Sequence, residues 1–196
     1  MPDADGSDRL EELVETGERV GWLYFDSAAR RLERYDTYGM LRRITDGESA
    51  IDLTYSDAAT PVAIAPYPGL LIAVRDAHGR EIALIYDAAA HLVEARFPGE
   101  SRFFYAYGST GMLESVSHSS GSIRRYVYNE APLTSNADLP WALTGILDEN
   151  EDRYASFGYD PLGRAVHTEH GDGQNAFSLE FGGGATGIVE PLGLSI

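Results

Sequence analysis

The stretch Leu92–Gly111 reads LVEARFPGESRFFYAYGSTG and holds one complete unit of the repeat that decides the fold. The unit consists of two runs, Leu92–Phe97 and Ser101–Tyr107, and two turn segments, Pro98–Glu100 and Gly108–Gly111. Proline supports a turn because its ring fixes φ, and glycine supports one because it tolerates a positive φ. Short runs with a turn signal after each of them predict a pair of antiparallel strands.

The unit repeats along the chain. Three columns of residues recur every 21 positions: Tyr86, Tyr107 and Tyr128; Leu71, Leu92 and Leu113; Val74, Ala95 and Val116. A fixed period in this range is typical of a chain built from one repeated supersecondary unit. The sequence therefore predicts an all-β fold, an antiparallel meander of about 21-residue repeats that forms a curved open strip.

Strand and turn signals continue on both sides of the regular repeats, at a spacing of roughly ten residues. Further strands are predicted at Leu10–Val14, Val20–Phe25, Arg31–Tyr35, Leu41–Thr45, Ile51–Tyr55, Leu143–Asp148, Arg153–Tyr159, Arg164–His170, Ala176–Phe181 and Thr186–Glu190. Together with the repeats this makes about sixteen strands. Leu10–Val14 also fits a helix that begins after Asp8, but the spacing of its neighbours favours a strand.

Changes in composition divide the chain into six parts. The acidic N-terminus, 1–8, is expected to be disordered; blocks of repeat strands are expected at 9–57, 70–129 and 141–196, the last of them truncated within a repeat. The segments 58–69, with three prolines, and 130–140 interrupt the rhythm and are predicted to be inserted loops. Inserted loops on a repeat scaffold often carry function, but tolerated insertion at a surface turn is the simpler interpretation.

Charge and composition limit the classes of partner. The chain carries 31 acidic and 15 basic residues, a net charge of −16, and such a surface repels phosphate backbones, so nucleic acid is not an expected partner. The sequence has no cysteine, which excludes disulfides and thiolate chemistry. It has no run of about 18 apolar residues and no signal-peptide pattern at its N-terminus, so membrane insertion is not expected.

No pattern of catalytic or metal-binding residues is found. The histidines that lie closest in sequence, His167 and His170, are three residues apart, a spacing that places them on opposite faces of a strand. The acidic run 148–152 is interpreted as a solvated turn, and the Gly-x-Ser-x-Gly pattern of hydrolases does not occur. We therefore expect no catalytic residue, no cofactor and no metal ligand.

The pattern Tyr-Asp-x-x-Gly occurs twice, as Tyr35-Asp36-Thr-Tyr-Gly39 and as Tyr159-Asp160-Pro-Leu-Gly163. We expect the tyrosine to end a strand with its ring on the sheet and the aspartate to accept backbone N–H groups. The glycine is expected to take the left-handed conformation, after which the next strand begins. These residues are thus predicted to form the structural framework of each repeat.

Partial copies of the pattern stand between the two complete ones. Ala90 replaces the glycine after Tyr86-Asp87, while Gly108 and Asn129 replace the aspartate after Tyr107 and Tyr128. The residues predicted to have this structural role are Tyr35, Asp36, Gly39, Leu41, Tyr86, Asp87, Tyr107, Gly111, Leu113, Tyr128, Tyr159, Asp160 and Gly163.

Tyr-Asp-x-x-Gly turns at this period resemble the YD-repeat, or Rhs (rearrangement hot spot), family of bacterial polymorphic-toxin and wall-associated proteins. The resemblance covers most of the chain, from about Trp22 to Glu190. It implies a β-sheet strip that winds into a hollow shell around a C-terminal toxin, often delivered by type VI secretion. The shell is a container and not an enzyme. Glu190–Leu194 resembles the self-cleavage segment of the family superficially, and we interpret it as a turn between repeats.

The resemblance also implies partners. These are a longer Rhs chain, a toxin domain, or further copies that pair through open sheet edges. The chain as written is expected to be cytoplasmic, or to be exported by type VI secretion as part of a larger system. The alternative is a carbohydrate-binding or adhesion module at the cell surface that uses aromatic residues such as Tyr107 and Trp141.

Overall fold

The computed structural model describes residues 7–182 and 185–191. Over these residues the protein forms sixteen strands and three short 3₁₀ turns, and the predicted all-β antiparallel meander is confirmed. The strands are β1 (Arg9–Glu15), β2 (Glu18–Asp26), β3 (Arg31–Tyr35), β4 (Leu41–Asp46), β5 (Ser49–Tyr55), β6 (Leu71–Asp76), β7 (Glu81–Tyr86), β8 (Leu92–Arg96), β9 (Arg102–Tyr107), β10 (Leu113–His118), β11 (Ile123–Tyr128), β12 (Leu143–Leu147), β13 (Arg153–Tyr159), β14 (Ala165–His170), β15 (Gln174–Gly182) and β16 (Ala185–Val189). The 3₁₀ turns are Pro98–Glu100, Ala131–Leu133 and Gly171–Gly173.

The chain divides into two compact units between Arg102 and Phe103. The first unit contains β1–β8, and the second contains β10–β16 and nearly all of β9. Within each unit the strands pair in the order in which they follow one another in sequence. Antiparallel neighbours need only short connections, which is why a repeat of two strands and two turns can build such a sheet.

The N-terminal segment that allowed two interpretations is a strand. In β1, Leu10 lies opposite Tyr24 and Glu12 opposite Trp22, so the helical alternative is wrong. Asp8 precedes this strand and accepts hydrogen bonds from the backbone N–H of Ser27 and the hydroxyl of Tyr24, both at 2.8 Å. The remainder of the segment predicted to be disordered, 1–6, lies outside the described residues, as does 192–194 of the predicted final turn.

The two faces of the sheet differ in chemistry. In each unit one face, which we call the tyrosine face, carries the tyrosines that end β3 and β7 in the first unit and β11 and β13 in the second, with apolar pairs such as Val74 and Ile82 beside them. The opposite face carries ion pairs that run across neighbouring strands. Arg43 binds Asp52 at 3.0 Å, and Arg75 binds Glu81 at 2.6 Å. Each strand alternates between these faces because its side chains have a period of two.

The connections also differ between the two ends of the strands. At one end, which we call the tyrosine end, the connections follow the odd-numbered strands. They include the two longest, 56–70 between β5 and β6 and 129–142 between β11 and β12. At the other end, which we call the short-turn end, every described connection has two to five residues. Both segments that the sequence marked as insertions therefore lie at the tyrosine end.

Few side chains are fully buried, because a single layer of sheet leaves both of its faces partly open. All six residues of β7 are half-buried. The buried hydrophobic side chains among the described residues are Ala65, Ala95, Leu139, Ala142 and Ala155. Three of these five belong to the long connections of the tyrosine end. The best-packed apolar groups thus lie where the chain has inserted a segment.

Ala90 supplies a test of how the turns contribute to stability. Its φ of 64° is left-handed, which costs an L-residue about 1–2 kcal/mol relative to the right-handed region. We predict that Ala90→Gly raises the free energy of unfolding in urea by about 0.5–1 kcal/mol, after the added freedom of glycine in the unfolded chain is subtracted. The neighbouring Ala89→Gly, where φ is not positive, is the control, and an equal gain there would contradict the explanation.

Candidate functional site

Each Tyr-Asp-x-x-Gly turn is held by the same set of hydrogen bonds. In the turn that begins at Asp160, the backbone N–H of Asp160 donates to the Arg164 carbonyl oxygen at 3.0 Å, and that of Gly163 donates to the Asp160 carbonyl at 2.9 Å. The Asp160 Oδ1 atom accepts the backbone N–H groups of Leu162 at 2.9 Å and Arg164 at 3.0 Å. Gly163 has a φ of 78°, as the sequence pattern requires. Asp36 and Asp87 make equivalent bonds in their own turns.

The second carboxylate oxygen of these aspartates binds a cationic or imidazole side chain. Arg164 Nε lies 2.7 Å from Asp160 Oδ2, and Arg42 Nε lies 2.8 Å from the same atom of Asp36. In the Asp87 turn His91 Nδ1 takes this position at 3.2 Å. Both carboxylate oxygens of the aspartate therefore help to hold the turn.

Two turns with the same hydrogen bonds were not predicted from the sequence. Asp76 and Asp148 each accept two backbone N–H groups on Oδ1, and Arg80 Nε binds Asp76 Oδ2 at 2.6 Å. Both turns lie at the short-turn end, where no tyrosine precedes the aspartate. The Asp-x-x-Gly spacing of Asp76 and Gly79 would have identified the first of them. Asp148 is the turn residue itself, so β12 ends at Leu147 and not at Asp148 as predicted.

Three tyrosines at the tyrosine end form hydrogen bonds to backbone carbonyl groups in addition to packing on the sheet. The hydroxyl groups of Tyr86, Tyr128 and Tyr159 donate to the carbonyl oxygens of Leu71 at 2.8 Å, Leu113 at 3.0 Å and Leu143 at 3.0 Å, respectively. Each accepting leucine is the first residue of the preceding strand. Burial raises the pKa of all three hydroxyls, so they remain protonated donors at neutral pH. We call this contact the tyrosine latch.

Tyr35 makes a hydrogen bond of a different kind from those of Tyr86, Tyr128 and Tyr159. The Tyr35 hydroxyl donates to the Glu33 carboxylate in its own strand, and this hydrogen bond raises the pKa of Tyr35 to about 12. Tyr35 is also paired directly with Trp22, so that β2 and β3 stay matched to the end of the strand. Tyr107 ends β9 and is half-buried, with Leu113 opposite it in β10.

The three latches lie where the pairing of two strands stops. Pairing runs from Ala73 to Arg75 in β6–β7, from Ser115 to Ser117 in β10–β11, and from Gly145 to Leu147 in β12–β13. Towards the tyrosine end the strands of each hairpin are no longer matched. We call these open ends the first fork (71–72 and 84–86), the middle fork (113–114 and 126–128) and the last fork (143–144 and 157–159).

The insertion between β5 and β6 covers the first fork. Its residue Ile64 accepts a hydrogen bond from the Tyr86 backbone N–H at 2.9 Å, and Ala65 is only 2% exposed. Ser56 holds the base of the loop, because its hydroxyl donates to the Tyr67 carbonyl and accepts the Leu70 N–H, both at 2.9 Å. The segment is a docked part of the fold.

The insertion between β11 and β12 covers the last fork in the same way. The Ser135 hydroxyl donates to the Tyr159 carbonyl at 2.8 Å. Below it Arg153 binds the two carboxylate oxygens of Glu130 at 2.9 and 2.6 Å, and it also donates to the Thr144 carbonyl at 2.8 Å. The hydrogen bonds from Arg153 lower the pKa of Glu130, so this carboxylate stays charged against the guanidinium. Thr144 is completely buried beneath the pair.

Trp141 joins this loop to a Tyr-Asp-x-x-Gly turn. A methyl group added at Gly163 would lie 2.5 Å from the Trp141 ring, so the ring rests directly on the glycine. The residue is nevertheless 51% exposed.

Several of the ionisable groups considered in the sequence have structural partners. His167 Nε2 lies 3.3 Å from Glu169 Oε2, and the ring of His170 packs edge-on against Tyr154. Over the part of the chain that is described, no group of three or more histidine, aspartate or glutamate side chains could hold a metal ion. No helix in that part is long and apolar enough to cross a membrane.

The contact between Trp141 and Gly163 predicts a coupled pair of substitutions. Gly39→Ala, where φ is 81° and the added methyl meets nothing, should lower the free energy of unfolding by about 1–2 kcal/mol. Gly163→Ala should lower it by about 1–3 kcal/mol more, because the methyl also collides with the indole ring. In a Trp141→Ala background the two costs should become equal in urea denaturation. An excess that persists without the indole would contradict the contact.

The turn aspartates predict a dependence of stability on pH. Partial desolvation raises the pKa of Asp160, but the hydrogen bonds from Arg164 and Leu162 lower it more, and its pKa lies below the ordinary 3.8. The stabilisation is therefore complete above pH 3.8 and disappears as the pH falls through the depressed value. We predict that the difference in unfolding free energy between wild type and Asp160→Asn shrinks when urea titrations are repeated from pH 6 down to pH 2.5. A constant difference would contradict the ionic contribution.

Comparison with known proteins identifies neighbours in fold. No protein-family model and no curated protein matches the sequence. The crystal structure of TcdB2-TccC3-Cdc42 matches 94% of this chain with a TM-score of 0.54 and 15% identity, over 11% of its own chain. TcdB2-TccC3 matches 95% with a TM-score of 0.53 and 14% identity, over 12% of its chain. TcdB2-TccC3 without its hypervariable C-terminal region matches 95% with a TM-score of 0.55 and 16% identity, over 10% of its chain. The protein thus spans about a tenth of these chains and shares the fold of that tenth.

Proposed function

We propose that this protein is a section of an Rhs-type wall, a non-enzymatic structural element of the kind that encloses a C-terminal toxin in bacterial competition. The observation that carries the proposal is the recurrence of one hairpin unit, with its aspartate turn and its tyrosine latch, along a chain that matches one tenth of much longer chains. The Tyr-Asp-x-x-Gly resemblance and the fold neighbours support it together.

The geometry is suited to a wall because each unit is stabilised locally. An aspartate turn closes one end of a hairpin with bonds to its own backbone, and a latch fixes the strand that enters the turn to the strand before it. Units of this kind can be added without a second layer of structure, since each needs only its neighbours. In each unit the tyrosine face carries apolar side chains beside its tyrosines, and the opposite face carries ion pairs across neighbouring strands.

The partner in this proposal is a polypeptide. One fold neighbour is defined by the removal of a hypervariable C-terminal region, and another also contains Cdc42. By analogy we place a longer Rhs chain or a toxin domain against the wall section, and we assign delivery to a secretion system of the type VI class. The carboxylates of the turns are given no reaction, because their acceptors are used by backbone N–H groups and arginines.

A chimera tests the wall function. Residues 7–191 would replace the structurally matching stretch of the TcdB2-TccC3 chain, and limited proteolysis and negative-stain electron microscopy would show whether a closed, protease-resistant particle still forms. We expect closure with the wild-type segment. A matched chimera carrying Tyr86→Ala, Tyr128→Ala and Tyr159→Ala should remain open, because the three latches are lost. An open particle in both cases, or a closed one in both, would contradict the proposal.

Carbohydrate binding is the second candidate, and the half-exposed side chain of Trp141 is the observation that favours it. Half-exposed indole rings are common platforms for apolar and stacking contacts. The test is a glycan array with wild type and with Trp141→Ala. Specific binding that disappears in the variant would favour this function over the wall.

A further inference from the structure

The three forks have the same geometry, but they differ in whether an inserted segment covers them. The first and last forks are covered by the insertions 58–69 and 130–140. Within residues 7–182 and 185–191, no insertion is hydrogen-bonded onto the middle fork in the way these two are, and Pro140 of the second insertion only borders it. The middle fork opens into a cavity of about 500 Å³, which lies within the range of roughly 300–1,000 Å³ found for ligand pockets. The lining residues include Thr110, Met112, Glu114, Tyr126, Tyr128 and Pro140.

The middle fork is the structural equivalent of the first. Its pairing stops at Ser115 and Arg125, which stand 42 residues, or two repeats, after Ala73 and Ala83 of the first fork. Its latch, from Tyr128 to Leu113, is likewise shifted by two repeats from that of Tyr86 and Leu71. Whatever covers the first fork is therefore a guide to what the middle fork can accommodate.

The two insertions cover their forks with the same kind of segment. Each forms a single tight turn next to a proline: Ala65 N–H donates to the Pro61 carbonyl at 3.2 Å, and Thr134 N–H donates to the Glu130 carbonyl at 3.1 Å. In each, a half-buried branched residue, Ile64 or Leu133, precedes a small residue that is buried. Ala65 is 2% exposed and Thr134 is 0% exposed.

The burial of the second residue in the last and middle forks agrees with this difference in covering. The residue after the leading leucine is Thr144 in the last fork, where it is completely buried beneath Glu130 and Arg153. The residue at the same place in the middle fork is Glu114, whose side chain is exposed at the cavity. A segment that covers the middle fork would find a hydrogen-bond acceptor there, beside the apolar Met112, Tyr126 and Tyr128, and the lining also contains the polar Ser109, Arg125 and Asn129.

We propose that the middle fork is a docking site for a partner polypeptide, which inserts a proline-bounded turn with a branched apolar residue followed by a small one. The small residue packs between the separated strands, and the branched residue covers Tyr126 and Tyr128. A backbone N–H or hydroxyl of the partner donates to the Glu114 carboxylate. The site depends on the fork geometry and not on the wall function, and it would exist in an isolated module as well.

The experiment uses the intact protein and a peptide copied from its own first insertion. An acetylated and amidated peptide with the sequence of residues 60–67, TPVAIAPY, is titrated into ¹⁵N-labelled protein. We expect saturable shifts of the Met112, Tyr126 and Tyr128 amides. A peptide with aspartate and tryptophan in place of the central isoleucine and alanine should produce no such shifts, because it can neither cover the fork nor enter it.

Two matched variants separate docking at the fork from other binding. Thr110→Trp places an indole at the mouth of the cavity and should weaken the peptide at least tenfold. Asn150→Trp, at the same position of the Asp148 turn but at the short-turn end, should leave the affinity unchanged. Thermal melts and circular dichroism establish that both variants are folded.

The proposal would be overturned by the absence of shifts at millimolar peptide, by shifts away from the fork, or by equal binding to Thr110→Trp. It would also be overturned by a glycan that occupies the fork while the peptide does not.

Discussion

The hydrogen bond from a strand-ending tyrosine hydroxyl to the first carbonyl of the preceding strand is the interaction on which the rest of the structure depends. Strand pairing stops before the ends of these hairpins, and unpaired strand ends in a single-layer sheet would leave backbone groups without partners. Tyr86, Tyr128 and Tyr159 span the opening, and their rings add apolar cover on the same face. A repeated tyrosine at this position therefore serves both as a hydrogen-bond donor and as a packing group.

The two insertions bury side chains that a second layer of structure would bury in a compact domain. A sheet with both faces open gains little from burial within its strands, as the half-buried residues of β7 illustrate. Ala65 and Thr134 are buried because the chain turns back over its own forks. The Glu130 and Arg153 pair adds charge-assisted hydrogen bonds, which are stronger than neutral ones, and Glu130 also accepts the hydroxyl of the buried Thr144. Stability is thus concentrated at the tyrosine end.

The sequence predicted the fold well because its period, its turn residues and its strand lengths agree with one another. The aspartates 36, 87 and 160 lie in turns of one geometry, and Ala90 adopts a left-handed backbone even without glycine. The forks could not be predicted, because strand pairing depends on neighbours that a single repeat does not contain. For the same reason Tyr35 looked equivalent to Tyr86, although Gly21 packs against the Tyr35 carbonyl and keeps that hairpin closed. The docking of the insertions was missed because small residues such as Ala65 carry no distinctive signal.

The unequal connections at the two ends of the strands have an evolutionary consequence. At the short-turn end every described connection has two to five residues, and such tight turns help to fix the register of the strands that they join. The tyrosine end tolerates added chain, since its hairpins already open and a new loop gains contacts by settling into the gap. A lineage that builds such sheets can therefore diversify along one margin, acquiring new recognition loops, while the other margin preserves the spacing of the whole array.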